Sequence, residues 1–198
     1  MKLEKYPEAK ALIFDLDGTL SNSIPVHIIT WEKVCKYYNC QFDEKIIPEL
    51  TGMPTVCFAE RIIADNKMTG KIDAEEMAGM KQSTFWEHAY MLEPFPEVTA
   101  LVYKYHGILP MAVGTGASKK STMVQLSQLK LTDYFDAIVS ADDVTKYKPE
   151  PETFLKCAKI MNIQPSCCQV FEDGILGMKA AQTAGMLLTD VRPYINYV

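Results

Sequence analysis

The sequence predicts an α/β protein whose core is a doubly wound parallel sheet, with a small α-helical cap domain inserted into it. Two observations carry this prediction. Short apolar segments alternate with segments of helical periodicity along most of the chain, which is typical of a parallel sheet flanked by helices. After the first apolar segment, roughly seventy residues show helical patterns only, which is too long for a connection within one sheet.

Five apolar segments are predicted as strands, and they span residues 9–16, 109–114, 137–140, 169–172 and 186–191. Helical periodicity separates the last four, at 119–129, from Pro151 onward and at 176–184. We expect the first two of these helices to bury Met123, Leu126 and Leu129, and Phe154, Leu155, Ala158 and Met161. Functional groups of such sheets gather at the carboxyl ends of the strands.

The helical segment after the first strand is predicted to form the cap, residues 22–92, with residues 1–21 and 93–198 as the core. Pro25, Pro54 and Asp73 are expected to begin its helices, Asp73 together with Glu76 as a capping box. The predicted inward faces are Val26, Ile29, Val34 and Tyr37; Phe58, Ala59, Ile62 and Ile63; and Met77, Met80, Thr84, His88 and Met91. The segment EPFPE, residues 93–97, is expected to be the return hinge.

Composition narrows the range of functions. The chain has 198 residues, 48% of them hydrophobic and 23% charged, which suits one core with a small appended domain. The net charge of −5 and the lack of a basic block argue against a nucleic-acid partner. No apolar run approaches membrane-spanning length and the polar start lacks a signal-peptide core, so we expect a cytoplasmic monomer. The six cysteines show no zinc spacing and are expected to be reduced thiols.

The first strand ends in the segment IFDLDGTL, which contains Asp15 and Asp17. Because side chains alternate along a strand, both carboxylates share one side. Two carboxylates crowded at a strand end repel each other, and a bound cation would relieve that repulsion. Gly18 permits a tight exit of the backbone beside a ligand. Taken alone, the segment is equally consistent with a strand that runs into an Asp-Gly turn.

Polar residues recur at the ends of later strands. Thr115 and Gly116 follow the second strand, where a hydroxyl and backbone N–H groups could bind phosphate or simply cap a helix. Lys148 precedes Pro149 in a loop, where a lysine is often only a solvated charge. Glu172 and Asp173 end a further strand, where they could cap a helix or repeat the chemistry of Asp15 and Asp17. Four such motifs in succession favour one phosphate and metal site over coincidence.

These motifs resemble those of the haloacid dehalogenase (HAD) superfamily, with its Rossmann-like core. The match covers essentially the whole chain and rests on DLDGTL, the Thr-Gly pair, Lys-Pro and Glu-Asp. PMAVGTG, YFDAIVSADDV, KPEPETFLKCA and QVFEDGILGMKAAQTAGM resemble the beta-phosphoglucomutase-like branch, and within it the fructose-1-phosphate phosphatase members. The resemblance implies a Mg²⁺-dependent phosphatase of small sugar monophosphates.

The resemblance also implies a role for each motif residue. Asp15 would be the nucleophile and Asp17 the acid/base, while Thr115, Gly116 and Lys148 would bind phosphate. Mg²⁺ would be held by Asp15, Asp17 (through its backbone carbonyl), Glu172 and Asp173. His27, Trp31 and Gly52 match cap positions of that branch; His27 and Gly52 are candidates for substrate contact, although a lone His on an amphipathic helix is more often structural.

The residue types indicate a two-step reaction. Attack of Asp15 on phosphorus would form an aspartyl-phosphate. Asp17 would protonate the leaving oxygen and then deprotonate the attacking water. For that exchange we expect the pKa of Asp17 to lie above that of Asp15. Dehalogenation is disfavoured because the dehalogenating relatives lack the second aspartate.

Three alternatives stay open. The mutases of the branch carry an arginine in the cap that binds a second phosphate. This chain has Thr55 at that position, and its nearest arginine is Arg61. A threonine cannot replace the bidentate contact of an arginine, so a mutase is the second choice. A catalytically inactive sugar-phosphate sensor is the third. A signalling receiver module shares acidic residues, a Thr/Ser and a lysine, but such modules are much shorter and lack a helical insert.

Overall fold

Five parallel strands form one sheet in the computed structural model, which describes residues 2–195. The strands are β1 Ala11–Phe14, β2 Met111–Gly114, β3 Ala137–Val139, β4 Cys168–Glu172 and β5 Leu187–Asp190. Their order is β3-β2-β1-β4-β5, so the sheet grows outward on both sides of β1. The predicted α/β fold is confirmed, and the carboxyl ends of β1, β2 and β4 meet where the strand order reverses.

Both faces of the sheet are buried. On β1, Leu12 and Phe14 contribute to one hydrophobic cluster and Ala11 and Ile13 to another, as the alternation of side chains along a strand requires. Phe14 stacks on Phe171 of β4 with ring centroids 4.9 Å apart. The strands therefore read as continuous apolar runs because neither face meets water.

The insert, residues 22–92, lies between β1 and β2 and contains four α-helices. They are α1 Ile24–Tyr37, α2 Ile46–Leu50, α3 Thr55–Asp65 and α4 Ala74–Glu87. A third hydrophobic cluster is built from the insert alone, with Trp31, Ile62 and Met77 among its buried members. The Asp73 side chain accepts a hydrogen bond from the backbone N–H of Glu76 at 2.9 Å, which confirms the predicted helix start.

The remaining helices cover the sheet: α5 Pro96–Tyr105, α6 Lys119–Gln128, α7 Glu152–Ile160 and α8 Ile175–Thr183. Helices α5 and α6 pack on the face of Phe14, and α7 and α8 on the face of Ile13. Within the described residues, no helix is both long and apolar enough to cross a membrane. The six cysteines carry free thiols.

The inward faces predicted for three helices are partly wrong. Tyr37, Met123 and Leu155 are 68%, 36% and 38% exposed, because they lie at the margin of faces whose centres are already filled. The error in α4 is larger. Its buried residues are Met77, Ala78, Lys81 and Phe85, whereas Met80, Thr84 and His88 are half-buried and Met91 beyond it is exposed. The helix is rotated relative to the prediction because this face packs against the insert and also borders the cavity described below.

Two short segments connect the insert to the core, and they run side by side. Ser21 and Pro94 form an antiparallel bridge. The backbone N–H of Asn22 donates to the carbonyl of Glu93 at 2.8 Å, and that of Phe95 donates to the carbonyl of Leu20 at 3.1 Å. We call residues 20–22 and 93–95 the paired connections. The division into a core and a cap at these points stays a prediction.

Candidate active site

The strand-end residues singled out from the sequence converge on one place. Asp15 directly follows β1, Thr115 follows β2, and Glu172 and Asp173 stand at the end of β4. Lys148 reaches the same point from the loop between β3 and α7. Asp15, Thr115, Lys148 and Glu172 are at most 3% exposed. Parallel strands bring their carboxyl ends to one edge, which is why residues far apart in sequence meet here.

Lys148 pairs with two buried carboxylates. Its Nζ donates to Oδ1 of Asp15 at 2.6 Å and to Oε2 of Glu172 at 2.8 Å. Burial and the neighbouring charge of Glu172 raise the pKa of Asp15 to about 8, and burial likewise raises the pKa of Glu172. Although burial opposes it, the two carboxylates raise the pKa of Lys148. The lysine is therefore a permanent cation at the centre of the site.

Three carboxylates form a candidate metal site. One oxygen each from Asp15, Glu172 and Asp173 lies within 4.8 Å of the others. Thr19 donates to Oδ1 of Asp173 at 2.8 Å, and the backbone N–H groups of Asp173 and Gly174 donate to Oε1 of Glu172 at 3.1 and 2.9 Å. These bonds hold two of the carboxylates in place. An all-oxygen set of mutually repelling carboxylates, in which the pKa values of Asp15 and Glu172 are raised, fits Mg²⁺.

The carboxylate of Asp17 faces away from this cluster. Its Oδ1 accepts three hydrogen bonds, from Ser23 Oγ at 2.6 Å, His27 Nε2 at 2.9 Å and Gln125 Nε2 at 2.9 Å. The side chain of Asp17 is not among the three clustered carboxylates, so the backbone carbonyl is the group of Asp17 that stays predicted for metal binding. Although burial opposes it, these donors hold the pKa of Asp17 well below its usual range, with His27 contributing most. The expected pKa order of Asp15 and Asp17 is thus reversed in the metal-free site; a cation beside Asp15 would lower the pKa of that carboxyl.

A lysine buried in the insert continues the bonding around Asp17. Nζ of Lys81 lies 2.5 Å from Nδ1 of His27. An ammonium only donates, so Nδ1 accepts and Nε2 carries the proton that His27 donates to Asp17. Burial lowers the pKa of Lys81 to about 7, and burial together with Lys81 lowers the pKa of His27. His27 stacks on Phe85 and contacts Asp17, and its contact with a substrate stays a prediction.

A cavity lies between the strand ends and the insert, with about 690 Å³ of space not occupied by atoms. Asp15, Asp17 and Thr115 line its floor, and the insert supplies an apolar wall that includes Trp31, Phe58 and Phe85. The polar groups around it include Thr55, Gln82, Ser121 and Gln125. This mixture of apolar and polar surfaces suits a small molecule with several polar groups.

The cavity contains few cations. Among the described residues that line it, Lys81 is the only lysine or arginine, and it is bonded to His27. Thr55 lines the cavity, as its alignment with the mutase arginine implied. Arg61 instead pairs with Glu49 and Asp65 at 2.9 and 2.8 Å on an exposed part of the insert. The insert therefore offers no arginine to a second phosphate.

The insert and the core approach most closely at two glycines. Both Gly52 and Gly116 line the cavity, as predicted for substrate-binding residues. A Cβ added to Gly116 would lie 2.2 Å from the carbonyl oxygen of Gly52, well inside contact distance. Gly52 itself has a φ of +101°, which other residues rarely adopt. The closed arrangement therefore requires a glycine on each side.

We expect Gly116→Ala to reduce kcat/KM by about 100-fold, because displacing the insert by roughly 1 Å misplaces the groups around the substrate. The melting temperature should change little, since the φ of Gly116 suits alanine and the clash arises only against Gly52. Gly79→Ala is the matched control, because a Cβ there meets open space. Equal kinetics of the two variants would contradict the requirement for close approach.

Three residues around Asp17 were missed by sequence reasoning: Ser23, Lys81 and Gln125. A signal exists for two of them. Lys81 lies four residues after Met77 and four before Phe85, and Gln125 four before Leu129, so each shares a helical face with buried apolar residues. A polar residue on such a face needs a partner, and that partner is visible only in three dimensions.

Comparisons with known proteins agree with this geometry. The family described as Haloacid dehalogenase-like hydrolase matches residues 12–191. The chain is 40% identical to fructose-1-phosphate phosphatase YqaB of Escherichia coli strain K12, over 94% of this chain and 98% of that protein. It is 30% identical to a phosphorylated carbohydrates phosphatase of Thermotoga maritima, over 89% and 82%. A solved beta-phosphoglucomutase of Clostridium difficile superposes with a TM-score of 0.83 at 25% identity, over 92% of this chain and 84% of that one.

Proposed function

The chain belongs to the haloacid dehalogenase-like hydrolase family and is a hydrolase of phosphate monoesters, and on that premise we propose that it is a Mg²⁺-dependent phosphatase of small sugar monophosphates resembling fructose 1-phosphate. The observation that carries the substrate class is the 40% identity to a fructose-1-phosphate phosphatase across nearly the full length of both chains. The converging Asp15, Asp17, Thr115, Lys148 and metal-type carboxylates supply the chemistry.

In the first step Asp15 attacks phosphorus in line with the leaving oxygen, and the ester bond breaks as the aspartyl-phosphate forms. The alkoxide takes a proton from Asp17. The three donors on Oδ1 leave the second oxygen of Asp17 for this transfer. They also favour the ionised form, so the acid form is populated when an anionic phosphate enters beside it and raises its pKa.

In the second step the ionised Asp17 removes a proton from water, which attacks the aspartyl-phosphate and releases inorganic phosphate. The low pKa of Asp17 suits this step, and the bonds to Ser23, His27 and Gln125 keep its carboxylate in one orientation. The pairing of His27 with Lys81 fixes the imidazole tautomer that donates to Asp17.

Binding of the phosphoryl group falls to cations and donors around Asp15. Mg²⁺ bound by Asp15 and Asp173, with the Asp17 carbonyl and Glu172 nearby, would neutralise charge on the phosphoryl oxygens. Lys148 supplies a fixed positive charge beside Asp15, and Thr115 and Gly116 line the cavity at the end of β2. Such transfer depends mainly on position and electrostatics, which a buried and preorganised site provides.

The insert is proposed to act as a cap that excludes water and contacts the leaving group. Its separate hydrophobic cluster, which draws only on residues between 24 and 80, supports residues 22–92 as a unit. The close approach of Gly52 to Gly116 supports a closed state in which the cavity is complete. Choice of sugar would then reside in the insert.

A beta-phosphoglucomutase is the second candidate, favoured by the structural likeness to a solved enzyme of that name. A mutase must hold a bisphosphate at both ends. The one cation lining the described cavity, Lys81, is already bonded to His27, and Thr55 offers only a hydroxyl. These observations favour the phosphatase. Monomeric state and cytoplasmic location stay predictions.

Phosphate release with Mg²⁺ from a panel of sugar monophosphates tests the proposal, beside conversion of beta-glucose 1-phosphate to glucose 6-phosphate. We expect rapid release, strongest on a ketose or hexose phosphate, and loss of activity when EDTA removes Mg²⁺. Isomerised product without free phosphate would establish the mutase. No reaction in either assay, with sugar phosphate still bound, would establish a sensor.

A further inference from the structure

Gln125 lies on α6 with no exposed surface, and it lines the cavity. Its Nε2 donates to Oδ1 of Asp17 at 2.9 Å. A glutamine in this position has a second polar group, the carbonyl oxygen Oε1, which must point away from the amide nitrogen.

The orientation of this amide follows from the chemistry of its partner. An ionised carboxylate only accepts hydrogen bonds, so Gln125 must present its NH₂ group to Asp17. Ser23 and His27 donate to the same oxygen of Asp17 as Gln125 does, which identifies Oδ1 as the accepting atom. Oε1 is consequently fixed, and it is buried with no hydrogen-bond partner in the protein.

A buried carbonyl oxygen without a partner is costly, and proteins rarely leave one unless a ligand or ordered water completes it. Ser121, one turn earlier on α6, accepts hydrogen bonds from Trp86 Nε1 and Ser118 Oγ and makes no bond to Oε1. Gln125 lines the cavity and is bonded to Asp17, the group that is proposed to protonate the leaving oxygen. The donor that it lacks is therefore expected on the leaving group.

We propose that Gln125 is a specificity-determining residue, whose Oε1 accepts a hydrogen bond from a hydroxyl on the carbon next to the phosphorylated carbon of the substrate. The inference rests on the proposed phosphatase function. In the substrate, two carbon atoms separate this hydroxyl from the ester oxygen. In the protein, the amide group of Gln125 separates the acceptor Oε1 from Asp17, which protonates the ester oxygen. The two separations match. The enzyme would thus select phosphates of vicinal diols, which include sugars and polyols, over simple alkyl phosphates.

Propane-1,2-diol 1-phosphate and n-propyl phosphate differ in this hydroxyl alone, so their kcat/KM ratio measures the contact. We expect the wild-type enzyme to prefer the diol ester by about 10- to 100-fold, since the analogue leaves a buried acceptor unpaired. In Gln125→Met, which keeps the side-chain length and removes both polar groups, the ratio should fall to about 1–3. Gln128→Met, at an exposed glutamine of the same helix, is the matched control and should keep the wild-type ratio.

A residue that only orients Asp17 would behave differently, because its loss would slow both esters equally and leave the ratio unchanged. That outcome, or a wild-type ratio near one, overturns the inference. Gln125→Asn, which withdraws the carbonyl by one methylene, takes the place of the methionine variant if that variant fails to fold. Calorimetric binding of the two esters to Asp15→Asn repeats the comparison without turnover. The inference is therefore tested even if phosphate release from every sugar phosphate fails and the proposed function falls.

Discussion

Replacing Asp15 by asparagine is expected to lower kcat by a factor on the order of 10⁵–10⁶, the loss seen when a covalent nucleophile is removed. The amide keeps the shape of the carboxyl group and its oxygen can still accept from Lys148, so the site should retain its geometry. What is lost is the charge that attacks phosphorus and that ligates the metal. Steady-state phosphate release on the best sugar phosphate measures the effect.

The same variant is expected to keep or raise the melting temperature of the metal-free protein. Burial raises the pKa of Asp15 from 3.8 to about 8, so the folded state retains a proton that the unfolded state releases between these values. The carboxyl group therefore destabilises the fold progressively as pH rises through that window, and asparagine removes this contribution. Asp133→Asn, at an exposed aspartate, is the control. Turnover in Asp15→Asn above one per cent of wild type would refute the assignment of the nucleophile.

Lys148→Met should be the most destabilising single change in the site. It leaves the carboxylates of Asp15 and Glu172 buried with no cation between them, and breaking a buried ion pair from one side costs about 3–5 kcal/mol of unfolding free energy. We also expect kcat/KM to fall by about 10²–10³-fold through loss of a charge that stabilises the phosphoryl group. Urea denaturation without metal, followed by kinetics, measures both losses.

Magnesium provides an internal check on that variant. A cation bound by the same carboxylates would replace part of the missing charge, so saturating Mg²⁺ should restore part of the lost stability but not the activity. Lys146→Met removes an exposed lysine from the same loop and should alter neither quantity. If Lys146→Met and Lys148→Met lose stability equally, the buried ion pairs are not what holds this end of the sheet together.

The fold and the residues at the floor of the cavity could be predicted because a short stretch of sequence indicates each of them. Asp15, Thr115 and Glu172 each stand at the end of an apolar segment, and a parallel sheet brings such ends together whatever the detailed packing. Lys148 was indicated instead by the proline that follows it in a loop. Three of the four α-helices of the insert were recognised from periodicity and from Pro25, Pro54 and Asp73 near their starts, whereas the five-residue α2 was missed. Boundaries were less certain: the first strand is Ala11–Phe14 rather than 9–16, since the backbone turns away for Asp15 and Asp17.

The residues that surround Asp17 and His27 could not be predicted, for a physical reason. Lys81 and Gln125 sit within amphipathic helices, where a polar residue ordinarily marks the solvent side. Their burial depends on Asp17 and His27, which lie on other elements and approach only once the insert packs over the sheet. The buried face of α4 was predicted wrongly for the same reason. Lys81 borders a cavity that forms only when the chain has folded, and the sequence pattern does not reveal it.

The paired connections give the chain a modular architecture. A backbone hydrogen bond joins Asn22 to Glu93, so the two ends of the insert lie side by side, as the two ends of a hairpin loop do. A turn of about two to four residues could span the same gap. We therefore expect that the insert can be exchanged for another without rebuilding the strand end at Asp15 or the loop that carries Lys148. Recombination at this one junction would change what the enzyme selects while inheriting intact the apparatus that breaks the phosphate bond.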